Sequence, residues 1–329
     1  MTFTVDGEFV WDFWTAYDDA SRLHHLFFLH APTSLGDPEL RHRSARVGHA
    51  VSDDLRQWTV LPDPLSAPLP GSFDELASWT GCTVRGEDDW WMFTTGLSLA
   101  DDGRVQRIGS ARSGDLQAWT RTGLELSADP EHYQLTTDGW VEEAWRDPWV
   151  MRGEDGRWHM YVTARSASGT PGCGVVGHAV SDDLLDWRVQ PPLSSPTGLF
   201  EWLEVIQVVQ VEGRWVLLFS CLGGEMPGAS AGAGGVWSVP VEGPGSRVDV
   251  AAAVRVTDER LYVGKVVHHE GSAYLMAFRN QGPDGSFVGG LIDPVSLRWR
   301  PDGRGVVADV PVWAADAPDA VPPGAQPLV

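Results

Sequence analysis

An eleven-residue pattern occurs three times in this chain, and no other feature constrains its architecture as strongly. It reads Gly-His-Ala-Val-Ser-Asp-Asp-Leu-Arg-Gln-Trp at Gly48 to Trp58. It returns with substitutions at Gly109 to Trp119 and at Gly177 to Trp187. Each copy holds a strand-forming run, a polar turn at Ser-Asp-Asp or Ser-Gly-Asp, and then a Leu and a Trp directed back toward one core. Upstream of the copies lie apolar runs at Leu23 to Ala31, Asp89 to Gly96 and Gly156 to Ala164, and two more follow at Gly213 to Cys221 and Gly271 to Arg279. The runs start at intervals of roughly 60 to 70 residues, which suits a four-stranded repeat with loops on one face. Weaker endings of the last two units fall at Gly235 to Val239 and Gly289 to Trp299. The pattern predicts an all-β, five-bladed β-propeller.

The 17 Trp, 37 Gly and 23 Pro of the 329 residues agree with many short strands joined by turns. Residues 1–313 are expected to form a single propeller domain, and 314–329 an Ala/Pro-rich C-terminal tail. The Gly/Ala/Ser-rich stretch Pro227 to Gly235 reads as an exposed loop. Each blade needs an innermost strand lining the central channel, and the spacing places these at Phe9 to Trp14, Ser78 to Arg85, Trp145 to Met151, Leu203 to Val209 and Leu261 to Val267.

The net charge of −21 argues against a nucleic-acid partner, because a phosphate backbone needs a basic surface. No run of eighteen apolar residues suggests a membrane span. Met1 to Glu8 lacks the basic start and apolar run of a secretory signal. Cys82, Cys173 and Cys221 are odd in number and far apart, which fits neither a zinc site nor a disulfide framework. A cytoplasmic protein with reduced thiols is the expectation.

Three acidic residues sit among bulky apolar ones in the inner-strand segments. They are Asp12 in Val-Trp-Asp-Phe-Trp, Asp147 in Trp-Arg-Asp-Pro-Trp, and Glu204 in Trp-Leu-Glu-Val-Ile. A carboxylate flanked by aromatics is partly desolvated, so its pKa rises or it pairs. Because inner strands converge on one axis, the three are expected at the same position of their blades, facing one pocket. Repulsion among them would keep one protonated as an acid while another stays ionised as nucleophile or base, which is the division of labour that glycoside cleavage requires. Taken singly, each has an ordinary alternative: Asp12 as a turn cap, Asp147 paired with Arg146, Glu204 as a surface residue beside Glu201.

These segments resemble the fructan-active enzymes of glycoside hydrolase families 32 and 68. Val10 to Trp14 is similar to the family 68 nucleophile segment, and Arg146-Asp147-Pro148 matches the Arg-Asp-Pro motif of both families. Trp202 to Gln207, followed by Trp215 to Ser220, resembles the segment that holds the acid/base Glu. Ser78 to Val84 is similar to a second-blade motif of family 32 that touches the sugar. The resemblance implies a retaining β-fructofuranosidase or fructosyltransferase with Asp12 as nucleophile, Asp147 as transition-state stabiliser and Glu204 as general acid/base. Trp11, Trp14, Trp79, Thr80, Arg146 and Tyr262 would contact a small sugar or oligosaccharide. The chain departs from family 32 in lacking Asn-Asp-Pro-Asn-Gly and in having Val205-Ile206 where Cys-Pro follows the Glu.

Two other readings share the propeller: an inverting arabinofuranosidase or xylosidase resembling family 43, and a sugar-binding propeller without catalysis. No cofactor and no metal are expected, since the chemistry needs only carboxylates. His49 and His178 recur within the repeat and read as structural. The adjacent pairs His24-His25 and His268-His269 point to opposite strand faces and cannot chelate one ion together. Glu142-Glu143 reads as a solvated loop near the channel rim.

Overall fold

In the computed structural model, which describes residues 2–136, 142–230 and 232–310, five four-stranded antiparallel sheets follow one another along the chain. Blade 1 comprises β1 (Glu8–Asp18), β2 (Leu23–Pro32), β3 (Arg46–Ser52) and β4 (Thr59–Leu61). Blade 2 comprises β5 (Ala77–Arg85), β6 (Trp90–Leu97), β7 (Gln106–Ser113) and β8 (Thr120–Arg121). Blade 3 holds β9 (Trp145–Arg152), β10 (Trp158–Arg165), β11 (Gly174–Ser181) and β12 (Trp187–Gln190). Blade 4 holds β13 (Glu204–Val211), β14 (Arg214–Cys221), β15 (Gly235–Pro240) and β16 (Val254–Arg255). Blade 5 holds β17 (Leu261–His269), β18 (Ser272–Arg279), β19 (Val295–Trp299) and β20 (Val306–Ala308). The protein is a five-bladed β-propeller, with the five expected inner segments falling in β1, β5, β9, β13 and β17. The tail at 314–329 lies outside the described residues. The expected loop at Pro227 to Gly235 yields to strand at Gly235, and Gly234 and Gly235 are buried.

The repeated pattern forms the third strand of blades 1 to 3 and the turn after it. In each turn one Asp carboxylate gathers the backbone. Asp54 Oδ1 accepts from the N–H groups of Arg56 and Gln57 at 2.8 and 2.7 Å, Asp115 from Gln117 and Ala118 at 2.9 Å, and Asp183 from Leu185 and Asp186 at 2.9 Å. The Leu that follows takes a left-handed conformation, with φ of 61° at Leu55, 63° at Leu116 and 69° at Leu184. That geometry costs roughly 1–2 kcal/mol for a residue with a Cβ. It is offset because each Leu side chain is buried in its core and because the Trp indole donates back to the Leu carbonyl at 3.0 to 3.2 Å.

One feature of the inner strands was not visible in the sequence. All five carry a bulge at the same level of the channel, where the register with the second strand shifts. In four of them two residues oppose one: Trp11-Asp12, Asp147-Pro148, Val205-Ile206 and Val263-Gly264. Asp147, Val205 and Val263 have positive φ, at 58°, 52° and 52°. A bulge re-aims the side chains around it, and this ring of bulges surrounds the cavity.

Candidate active site

The bulges correct the expectation that the three carboxylates occupy equivalent blade positions. Glu204 is the residue before its bulge, Asp147 the first residue of its bulge and Asp12 the second. They converge because successive residues at a bulge lose the strict alternation of a strand, so three different offsets can face one axis. All three line one cavity of about 620 Å³, together with Trp11, Trp79, Thr80, Arg146 and Tyr262.

Trp14 does not join them. It is fully buried, donates its indole N–H to Thr83 Oγ1 at 2.9 Å and stacks on Phe27, with ring centroids 5.7 Å apart. Three residues beyond the start of the bulge the alternation has resumed, and it turns Trp14 into the blade core instead of the channel. Trp79 stands at the cavity with its indole N–H donated to the His42 carbonyl at 2.7 Å.

Glu204 is gripped at both oxygens. Arg146 Nη2 donates to Oε1 at 2.5 Å, and Tyr262 Oη donates to Oε2 at 2.6 Å. Arg146 also bonds the Gln106 side chain at 3.3 Å and approaches Glu142 and Asp147 at 3.5 Å each. Burial opposes its charge, but Glu204, Glu142 and Asp147 outweigh burial and hold the guanidinium above its ordinary value. Asp147 is held by Thr163, which donates to Oδ2 at 2.9 Å, while the Asp147 N–H donates to Thr95 Oγ1 at 2.8 Å. Thr163 therefore ties two blades together, since the Val205 N–H donates to the same hydroxyl at 3.2 Å. Asp12 accepts from Thr80 Oγ1, which fixes one carboxylate oxygen.

Desolvation dominates the electrostatics. Burial, and then the charge of Asp147, pushes Asp12 up to about 7. Burial pushes Asp147 up to about 6, with Arg146 pulling it down and Glu204 pushing it up.

Sequence reasoning missed several lining groups. Glu225, in the short 3-10 helix Gly223–Glu225, faces Glu204 from blade 4; burial and then the Glu204 charge push it up to about 8. Arg41 and His42, in the 3-10 helix Pro38–Ser44, cover the blade 1 side. Arg41 lies over the Phe287 ring at 4.0 Å, and burial beside Arg41 pushes His42 down to about 3, leaving its imidazole neutral. Trp202 lies within 4.7 Å of Arg146 and 4.9 Å of Arg165, measured from guanidinium carbon to ring centroid. Glu142, read as solvated loop, lines the cavity, and Glu143 beside it is buried. Glu142 carried a signal, as an acid just before Arg-Asp-Pro, and Trp202 opens the segment similar to that of the acid/base Glu; Glu225, Arg41 and His42 lie in short connecting segments without periodicity.

Five bladed sheets around a cavity lined with carboxylates and aromatics define a class of propeller, and the comparisons give its family. Residues 19–232 match the family model described as "Glycosyl hydrolases family 32 N-terminal domain", and the chain belongs to that family, one of fructosidases and fructosyltransferases. The match begins after Asp12 and includes Asp147 and Glu204. Among solved structures, the inulosucrase from Halalkalicoccus jeotgali bound to kestose is similar over 97% of this chain and 94% of that one, at 19% identity and a TM-score of 0.73. A β-fructofuranosidase mutant from Microbacterium saccharophilum K-1 is similar over 94% of this chain and 75% of that one, at 18% identity and a TM-score of 0.71. Bacillus subtilis levansucrase is similar over 92% and 87%, at 14% identity and a TM-score of 0.67. At these identities the likeness carries the fold. No curated protein matches the chain.

Proposed function

We propose that the protein cleaves β-fructofuranosides by double displacement, passing the fructosyl group to water or to a sugar hydroxyl. The observation that carries this reading is the convergence of Asp12, Asp147 and Glu204, from three blades, on one cavity. Asp12 is the nucleophile: Thr80 occupies one of its oxygens and leaves the other for the anomeric carbon. Glu204 protonates the leaving oxygen and then, as carboxylate, takes a proton from the acceptor. Arg146 and Tyr262 stabilise the anion it becomes between the two steps. The reactive form carries the one proton of the carboxyl pair on Glu204 and not on Asp12, and charge is then conserved through the first step, because Asp12 loses its charge on forming the ester as Glu204 gains one. Asp147, held by Thr163, accepts hydrogen bonds from the sugar hydroxyls, and these strengthen as positive charge develops on the ring.

The test incubates the wild type and Asp12→Asn with sucrose, inulin and levan and follows the products by chromatography. The expected result is fructose, or a lengthened fructoside, from the wild type, with a loss of at least about 1,000-fold in the variant. Equal turnover by both proteins, or none by the wild type on any fructoside, would overturn the reading.

A further inference from the structure

Outside the cavity lining, against the β13 bulge, lies a lysine that the mechanism above does not use. Lys265 follows the β17 bulge and is only 3% exposed. Its Nζ donates to the carbonyls of Val205 and Ile206 at 3.2 and 3.3 Å, and it stands 5.1 Å from the centroid of the Trp149 ring. Those two carbonyls belong to the β13 bulge that begins immediately after Glu204. The same pair of strands is clamped once more by Gln207, which accepts from the Val266 N–H at 2.6 Å and donates to the Val266 carbonyl at 3.0 Å.

A buried ammonium is costly unless something nearby requires its charge. Val205 has a φ of 52°, a conformation that a β-branched residue adopts only when its surroundings enforce it. The lysine supplies that enforcement through both carbonyls of the bulge. Its charge also acts on groups from three other inner strands: Asp12 on β1, Cys82 on β5 and Asp147 on β9. Arg146 serves Glu204 and Asp147 from the cavity side, and Lys265 adds a second cation to the pull on Asp147.

We propose that Lys265 is a positioning residue of the carboxylate site: it pins the bulge that aims Glu204 and, as a buried cation, works against the burial that disfavours the charged forms of Asp12 and Asp147. The effect on turnover rests on the fructosidase reading; the effect on the carboxyl groups does not.

The experiment compares wild type, Lys265→Gln and Lys265→Arg. Gln keeps a donor for the carbonyls and removes the charge, whereas Arg keeps both. Two readouts are taken: carboxyl titration of Asp12 and Asp147 by NMR of protein labelled with carbon-13 at aspartate, assigned with Asp12→Asn and Asp147→Asn, and the pH profile of kcat and KM on a fructoside. In Lys265→Gln the Asp titrations should move up by about one unit. The ascending limb of kcat/KM should move with them, and kcat should fall about 10-fold while KM changes less than about 3-fold. Lys265→Arg should restore the limb. A folded Lys265→Gln with wild-type titrations and kcat would overturn the proposal. So would a result in which Gln and the isosteric Lys265→Met both fail to fold while Arg is fully active, since the charge would then serve the fold alone. A wild type that turns over no fructoside would sink the fructosidase reading and leave the titration test standing.

Discussion

Asp12 shows what burying a carboxyl costs the fold. Its pKa in the folded protein is about 7 against 3.8 for an ordinary Asp, so across that interval the native state holds a proton that the unfolded chain has lost. The stability it contributes is fully present below 3.8 and is lost as the pH rises through 7. Asp12→Asn, which cannot ionise, should therefore be more stable than wild type at pH 8, by on the order of 2–4 kcal/mol. The gain should vanish near pH 4. Urea melts of both proteins at the two pH values would check this, and an equal difference at both would show that the gain has another cause. At this scale the sequence was legible where an acid stood among bulky apolar residues in an inner strand, as Asp12, Asp147 and Glu204 do. Lys265 left a comparable trace, as the one charge in Leu-Tyr-Val-Gly-Lys-Val-Val, and could have been read as a buried cation. Glu225, Arg41 and His42 left none, because their place depends on how loops fold over the channel. Trp14 misled because its alternation with Asp12 is broken by a bulge.

Among the elements, the strands were legible and the bulges were not. Strand positions follow from apolar period and turn residues, which are local. A bulge reflects how five inner strands crowd one axis, and among the bulge residues only Pro148 and Gly264 hint at it. The turn after each third strand is the opposite case, since Ser-x-Asp-Leu-x-x-Trp specifies its own hydrogen bonds. Asp183→Ala would remove the acceptor of two backbone N–H groups and of Ser181 Oγ at 3.0 Å, while Leu184 would still be held at its positive φ. A loss of about 1–2 kcal/mol is expected, by analogy with a helix cap. The turn does not line the cavity, so kcat and KM should stay at wild-type values. A shift in denaturation midpoint with unchanged kinetics is the expected pair of results, and unchanged stability would show that the Asp is dispensable to the turn.

Over the whole molecule, the ring must close between blades 5 and 1, and it does so without sharing a strand. Each sheet is built from consecutive segments of chain, so the seam is held by smaller contacts. Phe3 and Leu291 exchange backbone hydrogen bonds at 2.9 Å, the Gly290 N–H donates to the Val10 carbonyl at 2.8 Å, and Arg56 meets Asp293 at 3.6 Å. At the level of the second strand the seam is closed by two imidazoles, His24 Nε2 lying 3.0 Å from His269 Nδ1. Only one of two facing ring nitrogens can carry the shared proton, so charging both rings breaks the bond and sets like charges together. Burial, and then His269 and His25, pushes His24 down to about 4 from 6.5. The sign is opposite to that of Asp12: the unfolded chain binds the proton first, so the stability His24 contributes is present above 6.5 and is lost as the pH falls through 4. His49 and His178, also pushed down by burial to about 4 and 3, act in the same direction. The raised carboxyls Asp12, Asp147 and Glu225 act in the opposite direction by a comparable amount, so the contribution of His24 is read by difference. His24→Gln, which keeps a donor toward His269 but cannot be charged, should gain stability relative to wild type as the pH is lowered from 7 to 5, measured by urea melts of both proteins at the two values. If the seam opens first, hydrogen exchange at pH 5 should speed up in β1 and β17 before β9 and β10, which sit on the far side of the ring. Uniform exchange across all blades would place the acid weakness elsewhere than at the closure.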